Sequence, residues 1–267
     1  RVSLADLPAE GEVVWLSDQP ASTARRGAPT FRFGEINLVA KVTGCIVEME
    51  DPITAPPDVP LHLHRADGLV TTVLGEPQRP ISRAGLESLA IASANSQAVI
   101  VSGCWRCHFT DLTIERSRRL FGLQGTRGTR VERISGIFTE RGIELAMFAT
   151  DTVISTVRAS YQPAGHAPRP AIRVGEFAQR NQLADVELDL KGGFTRTTLI
   201  RFDESRANSL ANIRLLTGEA RHRAPVVLYR GESDARGRAG RLPPQTELRE
   251  ATRCWPPASP QSCEALP

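Results

Sequence analysis

Hydrophobic positions recur along this chain in a fixed pattern, apolar-x-x-apolar-x-apolar. Six stretches carry it: LESLAI (86–91), FTDLTI (109–114), VERISG (131–136), ISTVRA (154–159), LADVEL (183–188) and LANIRL (210–215). Their first residues lie 23, 22, 23, 29 and 27 positions apart. The third and fourth close on the small residues Gly136 and Ala159 without losing register. A shorter series follows each one: VIV (99–101), FGL (121–123), IEL (143–145), IRV (172–174), IRF (200–202) and VLY (227–229). Apolar residues two apart are the signature of a half-buried strand. Two strand signals therefore recur in step. The longer intervals contain loops rich in Pro and Gly, notably YQPAGHAPRP (161–170).

Repeats of this length predict a solenoid, in which each unit buries its apolar face only against its neighbours. A leucine-rich repeat opens with a similar pattern but needs Asn or Cys three residues after the last apolar position. Those places hold Ala94, Ser117, Thr139, Gln162, Lys191 and Gly218. The expectation is therefore an all-β parallel β-helix with about six clear coils within 36–230. INLVAKV, CIVEME, LHLHR and GLVTTVL, within 36–85, read as two or three less regular coils at its start. Residues 1–35 read as an irregular cap with one strand, GEVVWLS, and 231–267 as a Pro-rich C-terminal cover or tail.

The register of the main strands assigns outward positions. One column is Ser88, Asp111, Arg133, Thr156, Asp185, Asn212, and the next is Ala90, Thr113, Ser135, Arg158, Glu187, Arg214. Arg158, Glu187 and Arg214 are expected to stack at about 4.8 Å per coil. They form either a surface ion-pair ladder or a clamp for carboxylates, with an arginine removing a proton if its pKa falls far enough. Asp185, Glu187 and Asp189 alternate in DVELD, a spacing that suits Ca²⁺ or the two carboxylates of an inverting glycosidase, or simply a solvated strand face. His62 and His64 share a strand face but lack an identifiable third zinc ligand.

Composition narrows the chemistry. The 33 basic residues include two lysines, Lys41 and Lys191, and arginine forks suit carboxylate and sulfate groups. The formal charge of +3 comes without a long basic run, which argues against a nucleic-acid partner. No apolar run is long enough for a membrane span. The start of the chain has no leader-like stretch and reads as a mature or trimmed product. The 14 aromatic residues are few for a sugar site; Trp105 and Tyr161, in turns, are the candidates for rimming a groove. Cys254 and Cys263 in CWPPASPQSC are spaced for a disulfide holding the tail, which implies an oxidising compartment. Cys104 and Cys107 fall in a turn between coils, where a local disulfide or a bond from one of them to Cys45 are both open.

The run VIVSGCWRCHFTDLTIERSRRLFGLQGTRGTRVERISGIFTERGIELAMF resembles the right-handed parallel β-helix superfamily of pectate lyase-like proteins in its coil rhythm. The resemblance covers about 86–230 well and 36–85 weakly. It implies a right-handed helix and a secreted or periplasmic protein acting on polysaccharide, as a lyase, hydrolase or epimerase of acidic sugars or as a non-catalytic surface or accessory module. The catalytic signatures of polygalacturonase-like and alginate epimerase-like relatives are absent. A lyase on a uronate-containing glycan leads, with a glycan-binding module and an inverting hydrolase as alternatives. Its candidate residues are Arg158, Glu187 and Arg214 for catalysis and Asp111, Arg133, Asp185, Trp105 and Tyr161 for binding, with Ca²⁺ at Asp185, Glu187 and Asp189.

Overall fold

The computed structural model describes residues 7–18, 34–54, 61–65, 81–92, 97–165, 167–191, 193–194, 196–218, 223–230, 238–239, 241–255 and 263–266. No helix occurs among them. In chain order the strands are β1 (Val13–Ser17), β2 (Gly34–Thr43), β3 (Ile46–Met49), β4 (His62–Arg65), β5 (Ile81–Ser82), β6 (Gly85–Ile91), β7 (Gln97–Trp105), β8 (His108–Arg127), β9 (Arg130–Ala146) and β10 (Val153–Tyr161). They continue with β11 (Ile172–Gly175), β12 (Gln182–Asp189), β13 (Ile200–Asp203), β14 (Ser209–Leu216), β15 (Val227–Arg230), β16 (Arg238–Ala239), β17 (Glu247–Arg249), β18 (Thr252–Cys254) and β19 (Cys263–Ala265).

The repeats become two rows of parallel strands. In the first row Leu86, Phe109, Val131, Ile154, Leu183, Leu210 and Leu248 are successive partners. In the second, Val99, Phe121, Ile143, Ile172, Ile200 and Val227 are. The long strands β8 and β9 bend from one row into the other, so the sheet curls around a shared core. Phe109, Leu112, Ile114, Phe121 and Leu123 are buried there with their equivalents in the following repeats, among them Val131, Ile134, Ile143, Leu145, Ile154 and Val157, whereas Leu86 and Leu89 of the first repeat are exposed.

Left-handed residues explain the apolar-x-x-apolar spacing. In a regular strand, residues three apart point to opposite faces. Here Ser88, Asp111, Arg133, Thr156, Asp185, Asn212 and Glu250 all have φ near +50° and turn the chain, so the apolar residues on either side both face inward. A second column, Arg83, Arg106, Gly128, Asp151, Arg180, Ala207 and Gln245, turns each repeat five residues earlier. Thr156 is exposed and β-branched, a residue type poorly suited to this region. Thr156→Asn is expected to stabilise the protein by about 1 kcal/mol, read as a higher denaturant midpoint with an unchanged slope. Gly136 has φ +152°, and a Cβ there would collide with the Ile114 carbonyl oxygen, which is why the third repeat ends in glycine.

Among the described residues, 36–54 and 61–65 do not form the N-terminal coils expected of them. β1 to β4 form an antiparallel sheet in the order β3-β2-β1-β4. INLVAKV and CIVEME are the two arms of a hairpin, and LHLHR pairs with the strand of GEVVWLS. GLVTTVL lies outside the described residues. This sheet is tied to the parallel rows by Trp15 edge-on to Phe148 at 4.9 Å and by Arg127, which is buried and meets Glu35 at 3.2 Å and the Ile36 carbonyl at 3.1 Å.

Residues 247–254 are not merely a cover. LREATR (248–253) is a further repeat: Leu248 pairs with Leu210, Glu250 continues the left-handed column, and Arg253 pairs with Leu215. Arg253 takes an inward position and is paired with Glu264 at 2.7 Å. β19 then closes this edge in antiparallel fashion, and β16 does the same for the second row. The Cys254–Cys263 disulfide joins β18 to β19, and a Cys104–Cys107 disulfide fixes the turn between β7 and β8. Cys45 is free and exposed at the β2–β3 hairpin, not in a coil turn.

Candidate functional site

The first-row face carries the columns expected for it. Arg158, Glu187 and Arg214 are successive cross-strand partners. Arg214 meets Glu187 at 3.3 Å, whereas Arg158 donates to the Asp185 carbonyl at 2.6 Å and to its own neighbour, the Val157 carbonyl. Arg133 grips Asp111 through two nitrogens, at 2.6 and 2.8 Å, and its pKa is raised by that carboxylate. Glu187 and Asp189 alternate with the buried Val186 and Leu188 on one outward face, and Asp185 sits at the left-handed turn just before them. Each has its own partner: Asn212 for Asp185 at 2.5 Å, Arg214 for Glu187 at 3.3 Å and Lys191 for Asp189 at 3.7 Å. Among the described residues no three His, Cys, Asp or Glu side chains converge to hold a metal ion, His62 included.

Neither aromatic candidate rims a groove. Trp105 is fully buried against Val13 and Ile36, donates from Nε1 to Asp51 at 3.1 Å, and lies under the guanidinium of Arg106. Tyr161 packs edge-on against Phe194 at 4.7 Å in the core, and burial raises its pKa. A large aromatic body gains more from burial than a turn position suggests.

The dense polar cluster lies on the second row. Between the inward residues of each strand, one column of outward positions runs Ile100, Gly122, Glu144, Arg173, Arg201 and Leu228. Arg119 and Arg141, themselves cross-strand partners, flank it. Glu144 is the hub. Its carboxylate accepts from Arg119 Nη1 at 3.0 Å, from Arg173 Nη1 at 2.8 Å and from Arg141. Arg173 also reaches Glu176 at 2.9 Å and Asp203 at 3.0 Å, and Arg201 binds Asp203 at 2.8 Å.

These side chains face outward but are recessed: the Glu144 side chain is 3 % exposed and that of Arg141 is 5 %. Burial pushes the Glu144 carboxyl up, but the guanidiniums of Arg141, Arg173 and Arg119 outweigh it and hold it below its ordinary value. Burial, aided by Arg173 and Arg119 and opposed by Glu144, pulls Arg141 below the usual arginine range. Burial also works against Arg173, yet Glu176, Glu144 and Asp203 raise it overall. Four guanidiniums thus meet three carboxylates, leaving one excess positive charge in a partly desolvated patch. Such a surface holds oxyanions better than an exposed one, because water competes less.

The described residues include no helix long and apolar enough to cross a membrane. No protein-family model matches the chain, and no curated protein matches it significantly.

Proposed function

We propose that this chain is a right-handed parallel β-helix, secreted or periplasmic, that binds an acidic, uronate-containing glycan across the second-row face. The observation that carries this reading is the stack of Arg119, Arg141, Arg173 and Arg201 on adjacent strands, held rigid by buried carboxylates and positive overall. Guanidinium forks fit carboxylates in two-point contacts, and prior fixation lowers the entropy lost on binding. Parallel connections within one sheet are right-handed in about 98% of cases, which supports the hand. The first-row partners from Leu86 to Leu248 support seven rungs. Two disulfides fit an oxidising compartment. The coil rhythm shared with pectate lyase-like proteins points the same way.

The test is a titration with polygalacturonate, alginate and neutral dextran. Acidic polymers are expected to bind and to weaken as salt is added, and dextran is not. Arg173→Ala is expected to lower polygalacturonate affinity about 10- to 100-fold, the scale of one or two charge-assisted hydrogen bonds. Equal binding of dextran and polygalacturonate would sink the reading.

A second reading, lyase action, is favoured by Arg141 alone. An arginine with a lowered pKa is a better proton acceptor than an ordinary one, which stays protonated. In that reading Arg141 in its neutral form takes the C5 proton of a bound uronate, the C–H electrons form the C4–C5 double bond, the C4–oxygen bond breaks, and the departing sugar oxygen takes a proton from water. Ultraviolet absorbance of unsaturated uronate during incubation, abolished in Arg141→Lys, is the expected result. Binding without any such product leaves the non-catalytic module.

A further inference from the structure

Beside the second-row patch, the chain builds a smaller arrangement that the ion network there does not use. Glu140 is buried, with a side chain 1 % exposed, where β9 bends from the first row to the second. Two exposed arginines hold it, Arg118 from β8 and Arg169 from the loop before β11; their side chains are 43 % and 52 % exposed. Both contacts go through Nε: Arg118 donates to Oε2, and Arg169 makes a close ion pair with Oε1 at 2.6 Å without hydrogen-bond alignment. No other side-chain partner of either arginine occurs among the described residues, so both Nη pairs are uncommitted. The loop is anchored as well: the Arg169 N–H donates to the Glu140 carbonyl at 2.9 Å.

Loop length is part of this design. From Phe121 to Ile143 is 22 residues, but from Ile143 to Ile172 is 29. The added residues carry Arg169 to the same carboxylate that Arg118 reaches. An arginine pinned by Nε has its side-chain torsions set while its Nη1/Nη2 fork stays available, an arrangement preorganised for an oxyanion. Arg119 and Arg141 are the direct sequence neighbours of Arg118 and Glu140, so this pair adjoins the main patch.

We propose that Arg118 and Arg169, fixed by Glu140, form a separate oxyanion subsite that grips a second acidic group of the same glycan. This rests on the glycan-binding reading above and adds to it that the ligand is a polyanion with several acidic groups. The anion is the carboxylate of a uronate or the sulfate of a sulfated sugar; the chemistry of the fork serves both.

The experiment measures affinity for polygalacturonate and for dextran sulfate with wild type, Arg118→Ala, Arg169→Ala, Arg173→Ala and Arg158→Ala. Each single rim variant leaves Glu140 one guanidinium, so folding is retained and is checked by thermal melting. Arg118→Ala and Arg169→Ala are each expected to lose about tenfold in affinity. Arg158→Ala removes the same charge from the first-row face and is expected to stay within about twofold, the scale of a screened surface charge. Loss against polygalacturonate assigns carboxylate, and loss against dextran sulfate assigns sulfate. If both rim variants bind both polymers no more weakly than Arg158→Ala while Arg173→Ala loses affinity, the subsite is refuted and the glycan-binding reading stands. If wild type binds neither polymer, both fall.

Discussion

Glu144→Gln is expected to lower the free energy of unfolding by about 3–5 kcal/mol, the cost of removing one partner from a buried ion cluster. The two side chains have nearly the same shape, so packing changes little. What is lost is the anion that three guanidiniums share. Without it Arg119, Arg141 and Arg173 repel one another in a site that water screens poorly. Acid should act on wild type by the same route. The folded carboxyl titrates below its unfolded value of about 4.3, so its contribution is fully present above that pH. It is lost as pH falls through the lower folded value. Chemical denaturation at neutral pH and at pH near 3 should therefore show a smaller acid-induced loss in Glu144→Gln than in wild type. Equal losses would mean that Glu144 is not held ionised by its neighbours.

Asn181→Ala is expected to cost about 2–3 kcal/mol, because it orphans the buried Thr152 N–H and removes two further buried hydrogen bonds. Asn181 and Asn208 follow the left-handed residues Arg180 and Ala207, at the inside of successive turns. Asn181 accepts from the Thr152 N–H at 3.0 Å and donates to the Ala149 carbonyl at 2.8 Å and to Asn208 Oδ1 at 3.0 Å. Asn208 repeats the arrangement one repeat on, donating to the Ala178 carbonyl at 3.1 Å. Cys107, Thr129 and Thr152 fill the same column earlier and Thr246 later, so the turn interior is polar where it has unpaired backbone to satisfy. Removing a link leaves the buried Thr152 N–H without its partner, while the Ala149 carbonyl keeps only the Gln179 N–H at 3.0 Å. Thermal unfolding of Asn181→Ala beside wild type measures this; an unchanged melting temperature would show that the ladder adds nothing.

Both strand series were legible because burial imposes a period, and their cross-strand partners follow the repeat register residue for residue. The pairing direction of β1 to β4 was not, since short apolar strands look the same in parallel and antiparallel sheets. The turns were hidden for another reason. Left-handed conformations advertise themselves through Gly or Asn, and here Arg133, Thr156 and Glu250 adopt them. LREATR does not show the repeat pattern in sequence, because Arg253 holds an apolar place. The polar patch is not visible in sequence, because IEL, IRV and IRF read as plain strands with one charged residue each. Only stacking shows that Glu144, Arg173 and Arg201 form a column and that Arg119 and Arg141 close around it. Arg158, Glu187 and Arg214 stand out more readily in the sequence, because their charges are equally regular, yet they are more exposed.

The two faces can be separated by one measurement, the affinity of polygalacturonate for Arg201→Gln and Arg173→Gln on the second row and for Arg158→Gln and Arg214→Gln on the first, each confirmed as folded. The account predicts about tenfold or greater loss for both second-row variants and near wild-type affinity for both first-row variants. Undiminished binding in the second-row pair, with loss in the first-row pair, would contradict it and move the site to the other face.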